Sequence, residues 1–258
     1  MDALPVPDHP AILLTGSRRW LCVSDLHIGI EHQLRGSGFN IPAQTRRMAE
    51  VLEELSGSAD HLLVLGDVKH RIPNAGHWED REIRPFMSRL LELFEEVVIT
   101  AGNHDGGLAG VLPDGCRMAP ASGERIEDVG AFHGHVWPSE ETMGGRRLIM
   151  GHLHPAVAMV DSIGTRTTEK CWVRARFARE RVVERYGSCP REVIVVPAFN
   201  PLITGTPVNG EGGISLGPLF RNHMVREDSV GVFLMDGSNL GRPRTVPSRP
   251  RGRYRTLT

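Results

Sequence analysis

Cysteine pairing, long apolar runs and net charge are all missing from this chain. Its four cysteines, Cys22, Cys116, Cys171 and Cys189, lie far apart with no C-x-x-C spacing, which argues against a zinc ribbon or a disulfide framework and for reduced thiols. No apolar run approaches the roughly 18 residues of a membrane helix, so no membrane contact is expected. Residues 1–20 hold Asp2, Asp8 and three prolines before Ala11 and lack a signal-peptide pattern, so the expected location is cytoplasmic. Aromatic residues make up only 5%, and the four Trp are too dispersed for a base-stacking platform. A formal net charge of −1 excludes a general polycation or a polyanion mimic.

The small net charge hides an asymmetry. Residues 241–258 carry Arg242, Arg244, Arg249, Arg251, Arg253 and Arg255 with no acid, which leaves −7 for the preceding 240 residues. With Pro243, Pro247 and Pro250 interspersed, this end reads as a flexible Arg-rich tail, either a solvated basic end or a contact to nucleic-acid phosphates. Residues 1–240 are long enough for one large core and are expected to form a single domain.

Strand and helix patterns alternate in the first half. Ala11–Leu14 and Arg19–Ser24 read as short strands, followed by an irregular stretch containing Gly29, Gly36 and Gly38. A helix is expected from Pro42 to Leu55, a strand at Leu62–Leu65, a helix over Trp78–Phe94 and a strand at Val97–Thr100. Alternation of this kind predicts a parallel sheet with its functional site at the carboxyl ends of the strands. Beyond Gly115, short strand-like runs dominate, which predicts a second, mostly antiparallel sheet packed on the first. Arg179–Tyr186 reads as a short helix there. The expected class is α/β, two mixed sheets flanked by helices.

Polar residues cluster where the apolar runs end. Val97-Val-Ile-Thr-Ala-Gly runs into Asn103-His104-Asp105; Trp20-Leu-Cys-Val-Ser delivers Asp25-Leu-His27; His61-Leu-Leu-Val-Leu-Gly delivers Asp67-Val-Lys69-His70. The runs ending at His133-Gly-His135 and His152-Leu-His154 repeat the pattern, so that seven of the 12 histidines fall in the five polar blocks that end these runs. Asp25 and His27 can bind one ion, Asp67 has two oxygens and can bridge, Asn103 can bind a second ion, and His133, His152 and His154 supply imidazoles. Either His133 or His135 can be the ligand; His133 is preferred because it ends the Ala131-Phe132 run directly. Oxygen and nitrogen donors without thiolate favour manganese, iron or zinc over magnesium or calcium. Two such ions ~4 Å apart can clamp an in-line displacement at phosphorus and activate a water. His104 is placed to act as the catalytic imidazole, with Asp105 behind it to fix its tautomer. Lys69 reads equally as a solvated cation or a phosphate contact. Glu31, His32 and His77 read as surface residues near motif ends, and Asn200 as a residue that shapes a loop through backbone hydrogen bonds.

Taken together, Asp25-x-His27, Gly66-Asp67-x-x-His70, Gly102-Asn103-His104-Asp105, His133 and Gly151-His152-x-His154 resemble the calcineurin-like metallophosphoesterase superfamily. Gly66-Asp-Val-Lys-His70, Gly151-His-Leu-His-Pro-Ala-Val157 and Pro197-Ala-Phe-Asn-Pro-Leu202 are more closely similar to SbcD-related archaeal phosphoesterases and their bacterial ligase-associated, PdeM-like relatives. The resemblance implies a two-sheet metallophosphoesterase sandwich with two divalent ions, most readily Mn2+. Asp25, His27, Asp67 and His154 would hold the first ion; Asp67, Asn103, His133 and His152 the second. It also implies a substrate-contacting role for His70, a DNA nuclease acting in repair on single-stranded or branched DNA, and an Lhr-type helicase as partner. A phosphatase or phosphodiesterase for a small molecule such as a nucleotide, and a scaffold that has lost catalysis, are the other readings; the second needs a missing ligand or catalytic histidine, and all are present.

Overall fold

The computed structural model describes residues 1–71, 77–161, 163–210 and 217–247. The first sheet has the order β1 (Asp2–Pro5), β2 (Ala11–Thr15), β3 (Arg19–Val23), β4 (His61–Val64), β5 (Glu96–Thr100) and β6 (Cys116–Ala119). β1 and β2 join it antiparallel, while β3 through β6 run parallel. Crossovers carry the helices α1 (Ile30–Gly36), α2 (Thr45–Ser56) and α3 (His77–Leu93).

The second sheet contains β7 (Glu124–Ile126), β8 (Val129–Phe132), β9 (Arg147–Met150), β10 (Pro155–Val160), β11 (Arg166–Ala175), β12 (Val193–Val195), β13 (Thr206–Pro207), β14 (Gly231–Leu234) and β15 (Asn239–Gly241). It is mixed, with β8, β9 and β12 mutually parallel and the other pairings antiparallel except β10 with β13. Three short helices, α4 (Glu140–Met143), α5 (Arg179–Tyr186) and α6 (Gly217–Arg221), accompany it.

The period of two in a strand explains the layering. Leu62, Val64, Val97 and Ile99 face α2 and α3, meeting Met48, Leu52, Ile83, Phe86 and Leu90. Their neighbours Leu63, Leu65 and Val98 face the other way and meet Ile149, Ile194 and Trp172 of the second sheet. On that sheet's outer side, Leu148, Met150, Val193 and Val195 pack on Val182 of α5 and Leu219 and Phe220 of α6. Strands apolar on both faces are the ones a sandwich with helices outside demands. Each such side chain contributes roughly 1.5–3 kcal/mol on burial.

Two local expectations are corrected, and the boundary expected at 240 is placed. The stretch after His27 is helical over Ile30–Gly36 and buries Glu31, whose carboxylate accepts the Gln44 N–H at 2.5 Å. α2 starts at Thr45, three residues after Pro42. The boundary expected at 240 falls within β15, and Leu240 and Val246 pack against the second core; residues 248–258, with four of the six arginines, lie outside the described residues. Among the described residues no helix is long and apolar enough to cross a membrane.

Candidate dinuclear metal centre

All five polar blocks meet at one edge. Asp25, Asp67 and Asn103 follow the carboxyl ends of β3, β4 and β5, and His133, His152 and His154 follow β8 and β9. The backbone there is forced. Eight described non-glycine residues have positive φ, and five of them are Asp25 (57°), His27 (41°), Asp67 (52°), His152 (66°) and His154 (40°). Conformations this unfavourable for residues with a Cβ persist where the surrounding structure enforces them, and they gather at functional sites.

Glycines before the ligands permit the close approach. A Cβ on Gly102 would lie 2.3 Å from the Asp67 amide nitrogen and Oδ1; one on Gly151 would lie 1.7 Å from Ser24 Oγ. A glycine directly before Asp67, Asn103 and His152 was readable as a repeated sequence feature, and its meaning is this packing.

Two groups of donors share Asp67. Asp25, His27, Asp67 and His154 bring one ligand atom each within 4.8 Å of one another, and so do Asp67, His133 and His152. Asp67 Oδ1 accepts the His104 N–H at 2.8 Å. Oδ2 is left facing His133 Nε2 at 3.3 Å, His27 Nε2 at 3.6 Å and His104 Nε2 at 4.0 Å. Asp25 Oδ1 lies 3.1 Å from His154 Nε2. Asn103 Oδ1 lies 3.1 Å from His133 Nε2, completing the second group.

Hydrogen bonds on the far side of the rings fix which nitrogen faces inward. His133 Nδ1–H donates to the Leu65 carbonyl at 2.8 Å, which turns Nε2 to the site. The Gln33 carbonyl oxygen accepts from His70 Nε2–H at 2.7 Å, so His70 Nδ1 is free to accept from His27 Nδ1–H at 3.3 Å. His27 Nε2 then carries a lone pair into the centre. Burial pulls His27 down to about 3 and His152 down to about 4, the neutral state a ligand needs. Burial also opposes charge on His133, but Asp67 and Asp25 outweigh it and push that imidazole up to about 9. Despite its own burial, Asp67 is held well below the usual carboxylate range by His133, the His104 N–H and His27. Buried carboxylates that hold positive charge among neutral imidazoles are a donor set that fits divalent cations.

His133 is the member of its pair that joins this centre. The His135 ring lies 5.2 Å from that of His133, and its buried Nδ1 has no hydrogen-bond partner. Two other sequence assignments, those of Asp105 and Lys69, differ in the structure. Asp105 is not the partner of His104. Its buried carboxylate accepts the N–H groups of Asp67 (2.8 Å), Gly102 (2.8 Å), Val68 (2.9 Å) and Lys69 (3.4 Å), tying the second and third ligand loops together. The His70 carbonyl takes its place, accepting from His104 Nδ1–H at 2.5 Å. His70 itself is half-buried between Gln33, His27 and the stacked His104 ring, where it orients His27. Lys69 is fully buried, its Nζ donating to the Arg71 carbonyl, so it is not presented to a substrate.

Of the residues named at motif ends, His32 bonds Glu82 at 3.2 Å, and the side chain of His77 lies outside the described residues. Gln33 carried no periodic signal and was not singled out. Asn200 was, and it is fully buried, donating to the Leu26 carbonyl at 2.7 Å.

The role of Asp105 makes a distinct prediction. Asp105→Ala leaves at least three buried N–H groups unpaired and is expected to cost about 3 kcal/mol or more, a fall in Tm of roughly 2–4 °C per kcal/mol for a chain of this size. Thermal unfolding of the metal-free protein measures it. An unchanged Tm would mean these bonds do not hold the loops.

A family model described as calcineurin-like phosphoesterase matches residues 18–203. No curated protein matches the chain in sequence. The fold is similar to that of nuclease MPE from Pseudomonas putida, with a TM-score of 0.55 and 17% identity, covering 93% of this chain and 100% of that one. It is also similar to the phosphoesterase Yfce from E. coli, with a TM-score of 0.36 and 20% identity over 86% of this chain and 96% of that one.

Proposed function

The chain belongs to the calcineurin-like phosphoesterase family, and from that premise we propose that this metal-dependent phosphoesterase is a phosphodiesterase acting on nucleic acid, a DNA nuclease serving repair. The observation that carries the phosphoesterase chemistry is the sharing of Asp67 by two cation-sized donor groups with His104 beside them. The nuclease reading is supported by the fold shared with nuclease MPE, by the resemblance of Pro197–Leu202 to SbcD-related proteins, and by the six arginines after residue 240. A helicase partner of the Lhr type rests on that resemblance alone.

Two divalent ions, manganese, iron or zinc by the donor chemistry, would supply Lewis acidity at phosphorus and lower the pKa of water. The remaining work falls to side chains. Asp25, His27 and His154 fix one end of the centre, and Asn103, His133 and His152 the other. Asp67, clamped through Oδ1 by the His104 N–H, keeps Oδ2 between them. His104 has its Nδ1–H on the His70 carbonyl and its Nε2 turned inward. In its protonated form Nε2–H can donate to a phosphoryl oxygen or to the leaving oxygen.

The test compares labelled single-stranded DNA with a small chromogenic phosphodiester in Mn2+ at several salt concentrations. A nucleic-acid enzyme is expected to lose affinity with a log–log slope of about −0.7 per phosphate contacted. Hydrolysis of the small diester with DNA untouched at every salt concentration would overturn the nuclease assignment and favour a small nucleotide substrate.

A further inference from the structure

Three of the ligands, Asp25, His27 and His154, stand on loops set against a single segment that carries none of them. Residues 196–206 bond to chain segments that follow strands of both sheets. The Val196 N–H donates to the Met150 carbonyl at 2.7 Å, two residues before His152. The Phe199 N–H donates to the Ser24 carbonyl at 2.7 Å, and the Asn200 side chain holds the Leu26 carbonyl. The Thr206 N–H donates to the His154 carbonyl at 2.8 Å, and a Cβ on Gly205 would lie 2.2 Å from that same oxygen. The loops bearing Asp25, His27 and His154 are therefore set against one strap.

A lysine fixes the strap at its middle. Lys170 Nζ donates to the carbonyls of Ala198 at 2.6 Å and Asn200 at 2.7 Å. It stands on β11 opposite Ala156 of β10, the strand that begins directly after His154. The ammonium thus joins the second sheet to the strap at the two carbonyls flanking Phe199, whose side chain is anchored in the first core. Burial pulls Lys170 down to about 8, against the raising field of Asp25.

We propose that Lys170 is a positioning residue for one half of the centre, the group Asp25, His27, Asp67 and His154. This rests on the two-metal reading above. The asymmetry is the core of it. Of the second group, Asn103 and His133 stand on loops held by Asp105 and by the Leu65 carbonyl, which the strap does not touch, and His152 meets it only through the Met150 carbonyl two residues earlier.

The experiment is a calorimetric Mn2+ titration of the metal-free wild type, Lys170→Met and Lys170→Arg. Wild type is expected to take up two ions. Lys170→Met should weaken one binding step by about 10–100-fold, as loss of an outer partner does, and leave the other unchanged; Lys170→Arg, which keeps charge and donors, should restore part of the loss. Two steps identical to wild type in Lys170→Met, or both steps weakened alike, would overturn the assignment. If Lys170→Met does not fold, Lys170→Gln, whose shorter amide reaches fewer carbonyls, is read by the same criteria. No Mn2+ uptake by the wild type would instead overturn the two-metal reading itself.

Discussion

Asp67→Asn is expected to lower kcat by at least ~1,000-fold in Mn2+, the equivalent of the several kcal/mol that metal clamping of a phosphoryl group supplies. Asparagine preserves the volume and an oxygen for the His104 N–H. It removes the charge that Oδ2 presents to His133 and His27, and an amide N–H2 placed there would face imidazole nitrogens instead of a cation. The fold should survive, because the Asp67 N–H remains bonded to Asp105. Metal analysis should show the bound Mn2+ falling together with kcat. A variant within tenfold of wild type would mean Asp67 does not bridge.

His104→Ala should behave differently. Its Nε2 lies 4.0 Å from Asp67 Oδ2, and its backbone N–H, the group that clamps Asp67 Oδ1, is retained in alanine. Metal content is therefore expected to stay at the wild-type level while kcat falls about 100- to 10,000-fold, the range of a general acid. Steady-state kinetics and metal analysis on one preparation separate the outcomes. Loss of metal along with turnover would make His104 a part of the metal-holding framework, and retained turnover would remove it from the chemistry.

The contrast between His104 and Asp105 shows what sequence conveys. Ligand types at the ends of apolar runs were readable because a strand buried on both faces needs an unbroken apolar run such as Val97-Val98-Ile99, and the polar block that stops it is conspicuous. The two-sheet class and most strands followed from the same pattern. The partner of a side chain was not readable. Asp105 next to His104 suggests a pair, but the turn at Gly102 aims the carboxylate back at the amides of Asp67 and Val68, and the acceptor for His104 is a carbonyl 34 residues away. Glu31 and Lys69, both fully buried, defeat the rule that charges lie outside, because each finds a local backbone partner. α1 was missed because Ile30-Glu-His-Gln-Leu-Arg-Gly36 has no apolar stripe; its Gln33 matters through one hydrogen bond. β1, β13 and β15 are short strands, two of them containing proline, that the sheet itself stabilises.

Lys170 illustrates the same boundary. In Arg166-Thr-Thr-Glu-Lys170 nothing separates it from a solvated strand residue, and only the register of β11 against β10 brings its ammonium to the Ala198 and Asn200 carbonyls.

The central claim is that two ions share Asp67, and electron paramagnetic resonance of the protein saturated with Mn2+ tests it most directly. An exchange-coupled spectrum from two ions per chain, replaced in Asp67→Asn by the signal of isolated ions or none, is the result predicted for a bridging carboxylate between ions ~4 Å apart. An uncoupled single-ion spectrum at saturation in the wild type would contradict it.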